Sequence, residues 1–179
     1  MVLPVHPSAR LAMDAVWHFV LHGTPLPCPL DLAEELKEKL AAFVSIKNGD
    51  ILRGCIGSLH PARDTLAEEI IHFAGQAAGS DPRFQPVGLG ELPTLTVSVD
   101  VISPLQPADG TRDWDTSRFG LAVQARQKQG VLLPDQPGIT RPGDQLKICL
   151  KKGSIGPGES YEIYRFTSNR FQMQAIYRA

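Results

Sequence analysis

A chain of 179 residues is long enough to bury the core of one ordinary domain. With 42% hydrophobic and 21% charged residues it has the composition of a folded globular protein, not a disordered one. Eighteen basic residues against nineteen acidic ones give a net charge of −1, which excludes the basic footprint of a nucleic-acid binder. No apolar run is long enough to cross a bilayer. The opening "MVLPVHPSARLAMDAVW" lacks the charged start, long apolar centre and small-residue cleavage site of a signal peptide, so a cytoplasmic protein is expected.

Ser8 is placed to cap a first helix, with Leu11, Ala12, Ala15, Val16, Phe19 and Val20 on one face and Gly23 ending it. The proline-rich "TPLPCPL" that follows is a loop. "DLAEELKEKL" has helical propensity for at least a turn or two, and "AAFVSI" reads as a strand. Asn48-Gly49 is a two-residue hairpin signal, which makes "ILRGCIG" the returning strand. A helix over 64–78 presents Leu66, Ile70, Phe73, Ala74 and Ala77. After the turn "SDPRFQPV", Leu95, Val97, Val99 and Val101 alternate with Thr96, Ser98 and Asp100 as a half-buried strand.

In the second half, "RFGLAVQA" and "GVLLP" read as a strand pair joined by "RQKQG", and 146–150 as a short helix. "YEIYRF" and "RFQMQAIY" read as late strands. Helices and hairpins without a βαβ rhythm indicate an α+β fold with a mainly antiparallel sheet.

Three cysteines, Cys28, Cys55 and Cys149, are odd in number and far apart, which argues against a disulfide framework. No CxxC or HxxxH pair offers a ready zinc site, and His18 and His22, though on one helix face, lack a partner ligand. No metal and no cofactor is expected.

Chemistry concentrates in "ILRGCIGSLHP". Side chains alternate along a strand, so Arg53, Cys55 and Gly57 share one face and Leu52, Gly54 and Ile56 the other. Arg53 and Cys55 then have α-carbons roughly 6–7 Å apart, within reach for a guanidinium to stabilise a thiolate. Gly57 leaves space beside the sulfur, and Gly54 lets another backbone approach from behind. A thiol nucleophile also needs a base. His60, just past the strand, is the candidate, with His72 on the next helix as a further one. Asp81 and Arg83 are candidates to orient a substrate, and Arg53 can alternatively pair with Asp81 or Glu68. The same residues equally suit a close-packed folding element with a buried thiol.

"LRGCIGSL" resembles the hallmark motif of the AMMECR-type domain family. "AAGSDPRFQPVGLGELPTLTVSVDVISP" resembles that family's second block, "GVLLP" its third, and "YRF" with Phe171 its closing strands. The stretch after Pro134, "DQPGITRPGDQ", departs from the family pattern, which continues with a Gln-Val stretch and a Trp-containing helix. The resemblance implies one domain over 1–179, residues 1–8 being a flexible lead-in. It implies a larger and a smaller subdomain around a cavity, with the LRGCIG strand near it. It also implies association with a MEMO-like protein of dioxygenase-type fold and with a radical-SAM protein, but no established reaction. Two functions are therefore expected. One is a small-molecule enzyme or ligand-binding protein in which Cys55 is the nucleophile, His60 the base, and Arg53, Gly54, Gly57, Asp81 and Arg83 bind the substrate. The other is a non-catalytic accessory module for those two partners.

Overall fold

The computed structural model describes residues 5–110 and 114–175. They fall into two units, the larger running to Ile102 and resuming at Asn169, the smaller being Ser103–Ser168.

The larger unit begins with α1 (Pro7–His22). Proline suits the first helical position because its missing N–H has no intrahelical partner there. The helix therefore starts earlier than expected. His6, not Ser8, is the cap: its Nδ1 accepts from the Ser8 N–H at 3.3 Å. Ser8 sits inside the first turn, with its hydroxyl buried and without a hydrogen-bond partner among the described residues. Pro7 and Ser8 are thus helix, not lead-in, while residues 1–4 lie outside the described residues. Gly23, at φ 71°, ends α1 as expected.

Only Glu34–Lys37 of the second helical segment forms a turn, α2. Then β1 (Ala41–Asn48) and β2 (Ile51–Gly57) form an antiparallel hairpin. Its two-residue loop is Gly49-Asp50, one position later than the Asn48-Gly49 signal suggests, because Asn48 still pairs with Ile51. Next come α3 (Leu66–Gly79), a 3-10 helix (Leu89–Thr94) and β3 (Leu95–Ile102). With the late strand β8 (Ser168–Gln174), the sheet order is β2-β1-β3-β8.

The two helices cover one face of this sheet. Val44 and Ile46 of β1 and Leu95, Val97 and Val99 of β3 pack against Leu11, Val16, Ile70 and Phe73 of α1 and α3. The expected alternation of β3 holds from Leu95 to Val99; beyond it Asp100 is buried, its carboxylate taking the Arg170 guanidinium, and Val101 is half-buried. The helices approach closely because the Phe19 ring lies against Gly75 and Gly79, where any Cβ would crowd it.

In the smaller unit, β4 (Gln106–Pro107), β5 (Gly120–Ala125), β6 (Lys128–Leu132) and β7 (Glu162–Phe166) form a sheet in the order β4-β7-β5-β6. The β5–β6 loop is only Arg126 and Gln127, since Lys128 already pairs with Ala125. The helix expected over 146–150 is longer, α4 (Pro142–Lys152), because Pro142 opens it a turn earlier. Cys149 of α4 is buried beside Leu121, and burial pushes its thiol up to about 12, so it is an inert packing residue. The α+β class with antiparallel sheets is as expected.

Candidate functional site

β2 is an edge strand, so one row of its backbone groups has no sheet partner. The DPRF turn supplies partners at Cys55. The Cys55 N–H donates to Asp81 Oδ2 at 2.9 Å, and Arg83 Nη2 donates to the Cys55 carbonyl at 2.8 Å. The two side chains are themselves joined, Arg83 Nε to Asp81 Oδ1 at 2.9 Å and Nη2 to Oδ2 at 2.7 Å. A carboxylate and a guanidinium thus stand in for the carbonyl and N–H of a neighbouring strand.

This arrangement fixes the sulfur. Because the Cys55 backbone groups point away from β1, Ser45–Cys55 is a non-hydrogen-bonded pair, the closer of the two antiparallel pair types. Their side chains meet, and the Ser45 hydroxyl donates to Cys55 Sγ at 3.1 Å. The guanidinium that donates to the Cys55 carbonyl has its pKa raised, chiefly by the Asp81 carboxylate. Asp81 is 4% exposed. The Arg83 hydrogen bonds, joined by the Cys55 N–H, outweigh burial and hold its carboxyl at about 2.

Arg53 goes elsewhere. Ile46 pairs with Gly54 and Lys47 with Leu52, so Arg53 is the extra residue of a β-bulge. Its guanidinium clamps Glu91, Nε to Oε2 at 2.6 Å and Nη2 to Oε1 at 2.9 Å. That bond holds the Glu91 carboxyl at about 2 despite partial burial. The partner is neither Asp81 nor Glu68. The guanidinium bonded to Cys55 is that of Arg83, on the backbone carbonyl, while the bulge breaks the alternation that would have put Arg53 on the cysteine face.

The two glycines are occupied by packing. A Cβ on Gly54 would lie 2.0 Å from the Ala77 carbonyl oxygen of α3, so the expected approach of a backbone from behind is present. A Cβ on Gly57 would lie 2.4 Å from the Phe43 ring. The space expected beside the sulfur at Gly57 is therefore filled by an aromatic side chain.

His60 is exposed in the turn after β2, where its backbone N–H and carbonyl bond the Ser58 hydroxyl. His72 accepts from Arg63 at 3.1 Å. Among the described residues, no histidine or carboxylate hydrogen-bonds the Cys55 sulfur. No group of three or more His, Cys, Asp or Glu among them is arranged to hold a metal ion. Among the described residues, no helix is long and apolar enough to cross a membrane.

The AMMECR1 family model matches residues 9–171, nearly the whole described chain. The chain belongs to the AMMECR1 family. A Thermotoga maritima protein is 37% identical over 170 residues, covering 93% of this chain and 98% of that protein. A Clostridium acetobutylicum protein is also 37% identical, over 92% of this chain, but the chain spans only 35% of its length. The crystal structure of an uncharacterised Pyrococcus horikoshii protein superposes with a TM-score of 0.84 at 32% identity, covering 92% of this chain and 89% of that one. Within this AMMECR1 domain, Ser45 is the neighbour of the motif cysteine that strand alternation does not find. It is placed by cross-strand register, and the register depends on a bulge that carries no sequence signal.

Proposed function

We propose that this AMMECR1 domain is a small-molecule enzyme or ligand-binding protein working through the Cys55 thiol. The observation that carries the reading is the immediate setting of the sulfur. A hydroxyl donates to it, and both polar backbone groups of the residue are locked, the N–H by the Asp81 carboxylate and the carbonyl by the Arg83 guanidinium. The nucleophilic form of a cysteine is the thiolate, and a sulfur held in one orientation presents it to a ligand in one direction. Arg83, with its side chain 53% exposed, is also the group best placed to receive an anionic portion of a ligand. Asp81 is a positioning residue, since its carboxylate is committed to Cys55 and Arg83.

Peptide-level alkylation of the folded chain with iodoacetamide at pH 7 tests this, with Cys28 as internal reference. Cys55 is expected to react about tenfold faster than Cys28, and Arg83→Gln to remove most of that advantage. Labelling of Cys55 no faster than that of Cys28, or only after denaturation, sinks the proposal.

A second reading, the accessory module, is favoured by one observation. In the Clostridium acetobutylicum relative the matched region is 35% of a longer protein, so the domain also occurs joined to other sequence. The partners would be a MEMO-like protein and a radical-SAM protein. Co-elution of the purified chain with either one is the expected result. Separate elution, with no change in the partner's activity, counts against this reading.

A further inference from the structure

A cavity of about 450 Å³ opens in the larger unit, built by elements other than the Cys55 edge of β2. Its floor is α3, through Glu68, Ile71 and His72; the loop after α1 and the loop after β2 form its walls. The volume lies within the roughly 300–1,000 Å³ of small-molecule sites.

The wall that carries Arg63 is held from below by a buried charge. Glu69 is 0% exposed, and its carboxylate accepts the N–H groups of Ala62 and Arg63 at 3.0–3.3 Å. A fully buried glutamate devoted to two loop amides is a costly arrangement, and it fixes the backbone from which the Arg63 side chain reaches His72. Since Arg63 Nη2 donates to His72 Nδ1, the imidazole proton is on Nε2. Burial, then the Arg63 charge, lower the His72 pKa, so the ring is neutral at pH 7.

The charged groups lining the cavity are one cation and two carboxylates. Asp64 is paired with Lys39 at 3.2 Å. Glu68 bonds Thr65 through Oε2, which leaves Oε1 without a hydrogen bond among the described residues. The other N–H groups of Arg63's guanidinium are likewise without one. A purely anionic ligand would meet Glu68, and a purely cationic one Arg63. A ligand carrying both signs on a short frame satisfies both. Leu26 and Ile71 add apolar surface to the same cavity.

We propose that this cavity binds a small zwitterion, an α-amino acid with an aliphatic side chain. Its carboxylate lies on Arg63, its ammonium on Glu68 and its side chain against Leu26 and Ile71. The site is independent of the Cys55 thiol.

L-Leucine is the probe, titrated calorimetrically into the full chain beside leucinamide and N-acetyl-leucine. Leucine is expected to bind, and each blocked compound about tenfold or more weaker, because each loses one charge-assisted contact. Arg63→Gln should abolish the preference for leucine over leucinamide, and Glu68→Gln the preference over N-acetyl-leucine. Cys28 lines the cavity, so leucine should also slow its alkylation in the unaltered protein, a readout that needs no variant. No heat and no protection of Cys28 at about 10 mM leucine overturns the proposal. Equal binding of the two blocked compounds and leucine overturns it as well.

Discussion

Gly54→Ala is expected to destabilise the chain by about 3 kcal/mol or more, the upper range for overpacking a rigid site. The new methyl would have to share space with the Ala77 carbonyl oxygen 2.0 Å away, with the carbonyl carbon at 2.8 Å behind it. Both are backbone atoms inside a helix, so neither can swing aside as a flexible side chain would. Relief requires β2 to move off α3, and that movement carries Cys55 with it. Gly90→Ala is the control, since a Cβ there meets nothing within 4 Å. Urea unfolding should separate the two variants clearly. An alanine at position 54 that costs no more than one at position 90 would show that β2 does not rest on α3 as described. The smaller unit repeats the device: a Cβ on Gly130 of β6 would lie 1.8 Å from the Cys149 carbonyl oxygen of α4. In both cases glycine allows a strand and a helix to touch backbone to backbone.

The elements with strong periodicity were legible because their pattern is set by burial alone. The alternation from Leu95 to Val99 and the stripe from Leu66 to Ala77 each face a single apolar layer, and each forms where expected. The surroundings of Cys55 were less legible, for a physical reason. Alternation places Arg53 on the cysteine face only if β2 is regular, and one unpaired residue in the ladder cancels that inference. Counting back from the Asn48–Ile51 pair in a regular hairpin would set Ser45 opposite Gly54. The bulge moves it opposite Cys55. Glu91, the partner of Arg53, lies 38 residues further along the chain, and no local pattern links the two. The DPRF motif marks Asp81 and Arg83 as candidate substrate contacts. Their observed bonds to the Cys55 backbone arise because an edge strand needs its outward N–H and carbonyl groups satisfied, and that need becomes visible only once the strand order is known.

The bonds of Asp81 also make an acid-sensitive latch. A carboxyl held at about 2 in the fold, against its ordinary value of 3.8, favours the folded state above the ordinary value. That contribution is fully present near neutral pH, declines as pH falls below about 4, and is gone once pH passes through the folded value near 2. The side chain is 1% exposed, so solvent screening is slight, and the shift corresponds to about 2 kcal/mol. Asp81→Ala is expected to cost about 3 kcal/mol at pH 7. It also leaves the Cys55 N–H without its acceptor, whereas Arg83 is half exposed and can be rehydrated. Asp81→Asn keeps an acceptor oxygen for that N–H but loses the charge, and should cost about 2 kcal/mol at pH 7. The decisive measurement is the difference in unfolding free energy between the unaltered chain and Asp81→Asn at pH 7 and again near pH 2.5. If the ionised carboxylate is what secures the Cys55 edge, the gap narrows sharply at the lower pH, because the native side chain is itself then becoming protonated. A gap of equal size at both values would mean that Asp81 acts through shape alone. The orientation of the thiol would then not depend on its charge.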